Sequence, residues 1–149
     1  MAKTILLTTA VIFFALNMGG SSIAPSFAAN YGSKMIKKNF AVFLFTIAVL
    51  LGALTVGRKV VKTLSSGVIP SELISADVAL IIILTATFTL TLANFLKIPE
   101  STSMVTVGAI TGAGIFFNRL QLKVLSGMLL IWIILPIASY VLTYIIFIR

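Results

Sequence analysis

The sequence predicts an all-α, polytopic membrane protein built from about five hydrophobic segments. Of its 149 residues, 60% are hydrophobic and only 9% are charged, and the mean hydropathy is +1.20. A soluble domain of this size could not bury so much apolar surface. Several apolar runs also approach the roughly 20 residues that a helix needs to cross the bilayer core. We therefore expect one transmembrane domain over residues 1–149, multi-pass in the cell membrane of a prokaryote, with the lipid bilayer as a partner.

The first segment is expected over residues 4–33, with a break at 17–25. Two glycines, two serines and a proline fall within seven residues there, and all of them disfavour a continuing helix. Pro25 suits the first turn of a new helix, where its missing N–H costs nothing. The stretch from Lys3 to the small residues before Ala29 also imitates a signal peptide with its cleavage site, and this alternative stays open.

The second segment, 39–57, is followed by a polar stretch, 58–75, whose apolar residues recur at helical spacing. This spacing predicts a helix that lies in the membrane interface. The third segment, 76–96, carries Asp77 at its start, where a carboxylate suits the positive end of the helix dipole. The fifth segment, 124–148, is expected to kink at its proline.

The fourth segment, 98–117, opens with a proline and soon continues with three consecutive hydroxyl residues. Its glycines at 108 and 112 form a Gly-x-x-x-Gly pattern, which lets another helix approach closely. Its apolar part, 104–117, is short for a full crossing, so a re-entrant half-helix and a crossing helix are equally compatible with it. The three hydroxyl residues are Ser101, Thr102 and Ser103.

Residue types that support most enzyme and metal chemistry are missing from the chain. It contains no cysteine and no histidine, and its acids are Glu72, Asp77 and Glu100. This composition excludes disulfides, thiolate chemistry and histidine-based metal or acid–base sites, and we expect no enzyme activity, no metal and no cofactor. The net charge of +8 comes from single or small groups of Lys and Arg between apolar runs. Such groups face lipid headgroups rather than nucleic acid.

Two stretches of expected non-helical backbone, 17–25 and 98–103, indicate an anion-binding site. In hydrocarbon an unpaired backbone group costs several kcal/mol, so such stretches persist only where they are buried in protein or line a polar cavity. Each is followed by a helix, whose N-terminus offers free N–H groups and a partial positive charge. Two half-helices that meet inside the membrane are typical of secondary transporters, and tight turns at the interfaces are the alternative. The candidate ligands are the hydroxyls of Ser21, Ser22, Ser101, Thr102 and Ser103.

Four stretches of the sequence resemble the inorganic phosphate transporter family, which includes a sulfate permease branch. They are "NMGGSSIAPSFAANYGSK", "VGRKVVKTLSSGVI", "IPESTSMVTVGAITG" and "IWIILPIASYVL", in the family's order and spacing. Family members are usually built from two homologous halves of inverted topology, and this chain resembles one half. The resemblance implies transport of a tetrahedral oxyanion, and by position it assigns the anion to the five hydroxyl residues named above.

The first motif departs from the phosphate branch of that family. Where the phosphate branch has an Asn-Asp pair followed after one residue by Ala-Asn, this chain has "SSIAP" at residues 21–25. The missing acid and amides argue against sodium coupling. A site of N–H and hydroxyl donors also slightly favours fully ionised sulfate over protonated phosphate. Met104 stands where a histidine is common. Glu100 is either the candidate for proton coupling or a structural acid at a helix start.

A half-length transporter needs a second half, and the simplest is a second copy in the opposite orientation. If all five segments cross, one side carries six basic residues and the other five; if the fourth is re-entrant, the counts are five and six. This balance suits a protein that inserts both ways. We therefore predict alternating access in an antiparallel homodimer, or a higher oligomer, that prefers sulfate to phosphate by a small margin.

Three other functions remain open at this point. The first is a sodium- or proton-coupled inorganic phosphate transporter. The second is a small drug or cation exporter of dual topology, although a cation exporter needs an acid inside a span and the first two spans have none. The third is a membrane assembly subunit that transports nothing, which has no need for two hydroxyl-rich helix breaks.

Overall fold

The computed structural model describes residues 1–148 and is entirely helical over that range apart from turns and connections. Four of its helices are long and apolar enough to cross a membrane, and one is shorter. This confirms the predicted all-α, polytopic architecture with five hydrophobic segments. The helices are α1 (Ala2–Gly32), α2 (Lys38–Gly67), α3 (Ala76–Leu96), α4 (Thr102–Phe116) and α5 (Leu122–Ile148).

Helix α1 is continuous, so the predicted break in the first segment is wrong. Pro25 lies inside the helix rather than at the start of a new one. A proline has no N–H, so the carbonyl of Ser21 loses its usual helical donor, yet the helix persists. Two side chains near the proline bond back to the helix backbone: Ser26 Oγ donates to the Ser22 carbonyl at 2.8 Å, and Asn17 Nδ2 donates to the Phe13 carbonyl at 3.0 Å. Breaking the helix in an apolar medium would expose several more backbone groups, which costs more than one missing bond.

Helix α2 extends ten residues beyond Gly57, where the second segment was expected to end. Gly57 and Arg58 keep ordinary helical angles, with φ of −54° and −58°. The expected separate interfacial helix after Gly57 is therefore wrong, because the same helix continues to Gly67. Two stretches of wider, π-type turns, Ala53–Gly57 and Thr63–Gly67, accompany this continuation.

Helices α1 and α3 run parallel and in register. Lys3 Nζ lies 2.6 Å from Asp77 Oδ1 near the start of both helices. Further along, Thr91 Oγ1 lies 3.2 Å from Asn17 Oδ1, and Asn94 Nδ2 lies 2.9 Å from Ser21 Oγ. Helix α3 ends two residues later, whereas α1 continues for eleven residues beyond Ser21, about 16 Å. The connection between α3 and α4 consequently lies alongside α1, short of its end.

Helix α4 returns to the end at which α3 began. There the connection between α2 and α3 folds inward, and its Val68 and Ile69 are completely buried against Ile82 of α3 and Ile110 of α4. The backbone N–H of Gln121, just after α4, donates to the Val68 carbonyl at 2.9 Å. Helices α3 and α4 thus form an antiparallel hairpin that starts and finishes at one end of the molecule.

Most of the basic residues lie toward one or the other end of the helices. Six lie toward the end that holds the buried core, three lie beyond the C-terminus of α1 or at the start of α2, and Lys97 lies on the hairpin connection. Arg149, which enters the charge count made from the sequence, lies outside the described residues. Lys97 therefore lies short of the C-terminal end of α1, near which the sequence had placed it together with Lys34, Lys37 and Lys38. The group of six comprises Lys3, Arg58, Lys59, Lys62, Arg119 and Lys123.

Helix α5 passes through Pro136 as one helix, and none of its described residues is buried within the protomer. The bend expected at this proline stays a prediction. Because α5 is apolar on all sides, its surface faces lipid or another protein.

Candidate functional site

Helix α4 begins directly after the hairpin connection, so its N-terminus lies at the turn of the hairpin. Ser101 has extended backbone angles, with φ −95° and ψ 113°, and its Oγ accepts a long hydrogen bond of 3.4 Å from the Met104 N–H. It is therefore the N-cap that the three hydroxyl residues predicted. Ser101 and Ser103 are exposed, and Thr102 is half-buried. The first N–H groups of a helix have no partner within it, so this end of α4 presents donors and a partial positive charge.

Ser21 faces α3 rather than a break in its own helix. Its Oγ lies 2.9 Å from Asn94 Nδ2 and 3.2 Å from Asn94 Oδ1. Ser22 is half-buried, and the described contact of its backbone is with Ser26. Successive residues of a helix point about 100° apart, so the two serines do not share one direction. Without the break, α1 offers hydroxyls but no free helix N-terminus.

The two predicted groups of hydroxyls lie toward the same end of the hairpin. Asn94, the partner of Ser21, precedes Ser101 by seven residues, and α1 also contacts α4. Between residues 1 and 148, no hydrogen bond joins Ser21 or Ser22 directly to the Ser101–Ser103 triplet. A shared anion site therefore stays a prediction, with the register of α1 and α3 in its favour.

Two amide residues, Asn17 and Asn94, are part of this region and were missed in the sequence. An amide inside an apolar run is costly unless it finds a partner, so its presence is itself a signal of a polar contact between helices. Asn17 pairs with Thr91 and Asn94 with Ser21, over sequence separations of 74 and 73 residues. That separation is the reason why local patterns did not reveal the pairs.

The hairpin connection also carries two opposite charges. Lys97 ends α3 in the left-handed region, with φ 56° and ψ 33°, and is exposed. Glu100 is half-buried, and its Oε1 has no hydrogen-bond partner among the described residues. Desolvation by burial raises the pKa of Glu100. The carboxyl group consequently holds its proton to a higher pH than an exposed glutamate, so it can stand neutral beside an anion.

A groove of about 610 Å³ runs between α3 and α4 on the outer side of the hairpin. Its lining is almost wholly apolar and includes Gly108 and Gly112. A Cβ added at either glycine would meet nothing within 4 Å. The Gly-x-x-x-Gly pattern is therefore unoccupied within the protomer, and it leaves room for a helix from outside.

The sequence is similar to those of known membrane transport proteins. The model of the phosphate transporter family matches residues 18–149. The chain is 42% identical over 134 residues to the sulfate permease CysP of Bacillus subtilis, covering 89% of this chain and 38% of that protein. It is 29% identical over 159 residues to a candidate phosphate permease of Pyrococcus furiosus, covering 99% and 38% respectively. A candidate phosphate permease of Methanocaldococcus jannaschii is 30% identical over 133 residues, covering 87% and 40%.

The chain spans about two fifths of the length of these curated relatives. No solved structure matches it. The matched region contains the hydroxyl triplet at the start of α4 and all of the hairpin, together with the second half of α1 from Met18 onward.

Proposed function

Because the chain belongs to the phosphate transporter family, we propose that it moves a tetrahedral inorganic oxyanion across the cell membrane. Its four long apolar helices and its similarity to bacterial and archaeal permeases make it a multi-pass protein of that membrane. Sulfate is preferred to phosphate by a small margin. The observation that carries the proposal is the N-terminus of α4, which presents its donors from a hairpin connection lying alongside α1.

The anion site consists of the α4 N-terminus and the hydroxyls around it. Free N–H groups at a helix start bind sulfate and phosphate without further charge, and hydroxyls of Ser101, Thr102 and Ser103 add donors. Ser21 approaches from α1 through Asn94, and Ser22 contributes from the adjacent position. Lys97 on the same connection offsets part of the dianion's charge.

Two observations support sulfate as the preferred substrate. The side chains gathered near the α4 N-terminus are mainly hydroxyls and amides, and sulfate needs donors only, whereas monohydrogen phosphate also needs an acceptor for its proton. The relative with 42% identity is named as a sulfate permease. Glu100 favours a second candidate, proton-coupled phosphate transport, because its half-buried carboxyl group, whose Oε1 has no hydrogen-bond partner among the described residues, can supply that acceptor or carry a proton.

An antiparallel homodimer would complete the transporter. The open groove at Gly108 and Gly112 supports a partner helix there, because small residues let backbones approach closely in a membrane. A two-fold axis in the membrane plane would make the two faces of the dimer equivalent, as alternating access requires.

Substitution of Thr102 tests the anion site. In proteoliposomes holding the purified chain, Thr102→Val should weaken sulfate binding and uptake about 10- to 100-fold, the value of one hydrogen bond to a charged ligand. Thr106→Val is the matched control, since the Thr106 hydroxyl donates to the Thr102 carbonyl at 2.8 Å and faces its own helix. Equal uptake by both variants would remove Thr102 from the site, and absence of uptake by the unmodified protein would overturn the proposed function.

Labelling from the two sides of the membrane tests the dimer. The chain has no cysteine of its own, so Lys37→Cys can be labelled selectively. Equal labelling from both sides is expected for an antiparallel pair, and Gly112→Leu should then separate the two copies without unfolding either. Labelling from one side only would exclude the antiparallel homodimer and favour a different partner chain.

A further inference from the structure

We propose that Asn94 is a specificity-determining residue of the anion site, which orients the Ser21 hydroxyl and keeps this part of the site rich in hydrogen-bond donors. It would thereby select a fully ionised oxyanion over one that carries a proton. This inference rests on the proposed oxyanion transport and adds to it a residue on α3, outside the hydroxyl groups considered so far.

The geometry of the pair allows two arrangements of one proton. Ser21 Oγ lies within hydrogen-bond distance of both ends of the Asn94 amide, 2.9 Å from Nδ2 and 3.2 Å from Oδ1. A serine hydroxyl has a single proton, whereas the amide has two N–H groups and one oxygen. Ser21 therefore either donates its proton to Oδ1 or accepts from Nδ2, and the second arrangement leaves the serine proton free.

An anion favours the second arrangement. When Asn94 donates to Ser21 Oγ, the serine O–H and the second N–H of the amide are both available as donors to one ligand. A hydroxyl that accepts one hydrogen bond becomes a better donor of the next. Asn94 is exposed and Ser21 is half-buried, so both can meet a molecule that arrives from outside the protomer.

The position of Asn94 connects the two groups of hydroxyls. It lies two residues before the end of α3 and seven before the cap of α4, and it contacts α1 through Ser21. The hairpin carries two acids, Asp77 and Glu100. Asp77 is paired with Lys3 at the opposite end of α3, about 26 Å from Asn94 along the helix. The charged and hydroxyl side chains that follow Asn94 up to the first residues of α4 are Lys97, Glu100 and the three hydroxyl residues. A neutral amide here offers donors to sulfate without repelling it, which a carboxylate would do.

Asn17 provides a contrast one turn away on the same pair of helices. Its Nδ2 donates to the Phe13 carbonyl at 3.0 Å, and its Oδ1 accepts from Thr91 Oγ1 at 3.2 Å. The Thr91 hydroxyl also lies 2.8 Å from the Thr87 carbonyl, so its single proton is shared between that carbonyl and Asn17 Oδ1. Asn17 thus uses its amide oxygen and one of its two N–H groups for contacts within the protein. It is a structural contact of α1 with α3 and serves as the control.

The test replaces each asparagine by the isosteric aspartate in the full chain and measures sulfate and phosphate binding at constant pH. Asn94→Asp should weaken sulfate binding about 10- to 100-fold, because donors become acceptors beside a dianion. Phosphate should lose about tenfold less than sulfate, since the new carboxylate accepts the proton that phosphate carries. Asn17→Asp adds the same charge nearby and should weaken both anions by a similar factor, leaving their ratio unchanged.

A second pair of variants tests the same role if the Asn94→Asp protein does not fold. Asn94→Ala should weaken sulfate binding at least tenfold and should be non-additive with Ser21→Ala, while Asn17→Ala should leave affinity unchanged. If the unmodified protein binds sulfate and both Asn94 variants keep its affinity and its sulfate-to-phosphate ratio, the role of Asn94 is wrong and oxyanion transport stands. If the unmodified protein binds neither anion, the proposed function fails and this inference with it.

Discussion

The two ends of helix α4 differ in how closely they are packed. Its C-terminal end is closed, because Val68 and Ile69 are completely buried there and Gly114 leaves no room for a side chain. Its N-terminal end is open, with Ser101 and Ser103 exposed to whatever approaches the hairpin connection. One end therefore holds the hairpin in place, and the other presents unpaired donors.

Within the fifteen residues of α4, one end therefore contributes mainly to stability and the other mainly to anion binding. The closed end fixes the position of the hairpin along α1, because Val68 and Ile69 of the α2–α3 connection pack against both α3 and α4. The open end then keeps hydroxyl and N–H groups at a defined level beside α1 without satisfying them internally. Changes at the two ends should accordingly affect different measurements.

The largest effect is expected at Gly114. A Cβ there would lie 2.7 Å from both Ile69 Cγ2 and Leu120 Cδ1, and Ile69 is fully buried and cannot yield easily. Gly114→Ala should lower the free energy of unfolding by about 1–3 kcal/mol, as overpacking does, in a detergent-solubilised unfolding experiment. Gly108→Ala, on the same helix with nothing within 4 Å, should leave it nearly unchanged. Equal stabilities would mean that the closed end is not packed as described.

A change at the open end should alter the pH dependence of transport instead. Burial raises the pKa of Glu100, so its carboxyl is neutral at low pH and becomes charged as the pH rises through that value. The ionised form repels an arriving dianion, and sulfate affinity should fall on the order of tenfold across that transition. Glu100→Gln should bind sulfate equally at low and high pH. A variant that keeps the pH profile of the unmodified protein would return Glu100 to a structural role.

The smallest effect concerns the backbone of the hairpin connection. Lys97 adopts φ 56°, a conformation that glycine takes without the steric cost of a Cβ. Lys97→Gly should raise the free energy of unfolding by about 0.5–1 kcal/mol and weaken sulfate binding, because a positive charge is lost. Asn118→Gly, at φ 52°, should change stability less, since asparagine tolerates this region well. A loss of stability in Lys97→Gly would show that the lysine side chain makes contacts that outweigh the strain.

The parts of the fold that depend on composition and local pattern could be predicted from the sequence. The hydrophobic runs located all five helices, and the hydroxyl triplet located the cap at Ser101. The rules for glycine and proline failed between residues 17 and 25, because they describe helix preference in water, whereas in an apolar medium the cost of unpaired backbone groups outweighs them. The second segment was expected to end at Gly57 because polar residues follow, but polarity does not stop a helix, and α2 continues to Gly67.

The candidate site depends on contacts that no local pattern contains. The pairing of Ser21 with Asn94 spans 73 residues, and the burial of Val68 and Ile69 results from the return of α4 to the α2–α3 connection. Both follow from the packing of distant segments. The hydroxyl triplet could be found because cap chemistry is local, whereas Asn94 could not.

The position of a bound oxyanion tests the central claim most directly. Selenate is a tetrahedral dianion like sulfate, and its anomalous scattering would locate it in a crystal of the full chain. We expect selenate at the N-terminus of α4, with oxygens within about 3.2 Å of Thr102 and of Ser21 or Asn94. Selenate bound only at the cluster of Lys34, Lys37 and Lys38, with the α4 N-terminus empty, would contradict it.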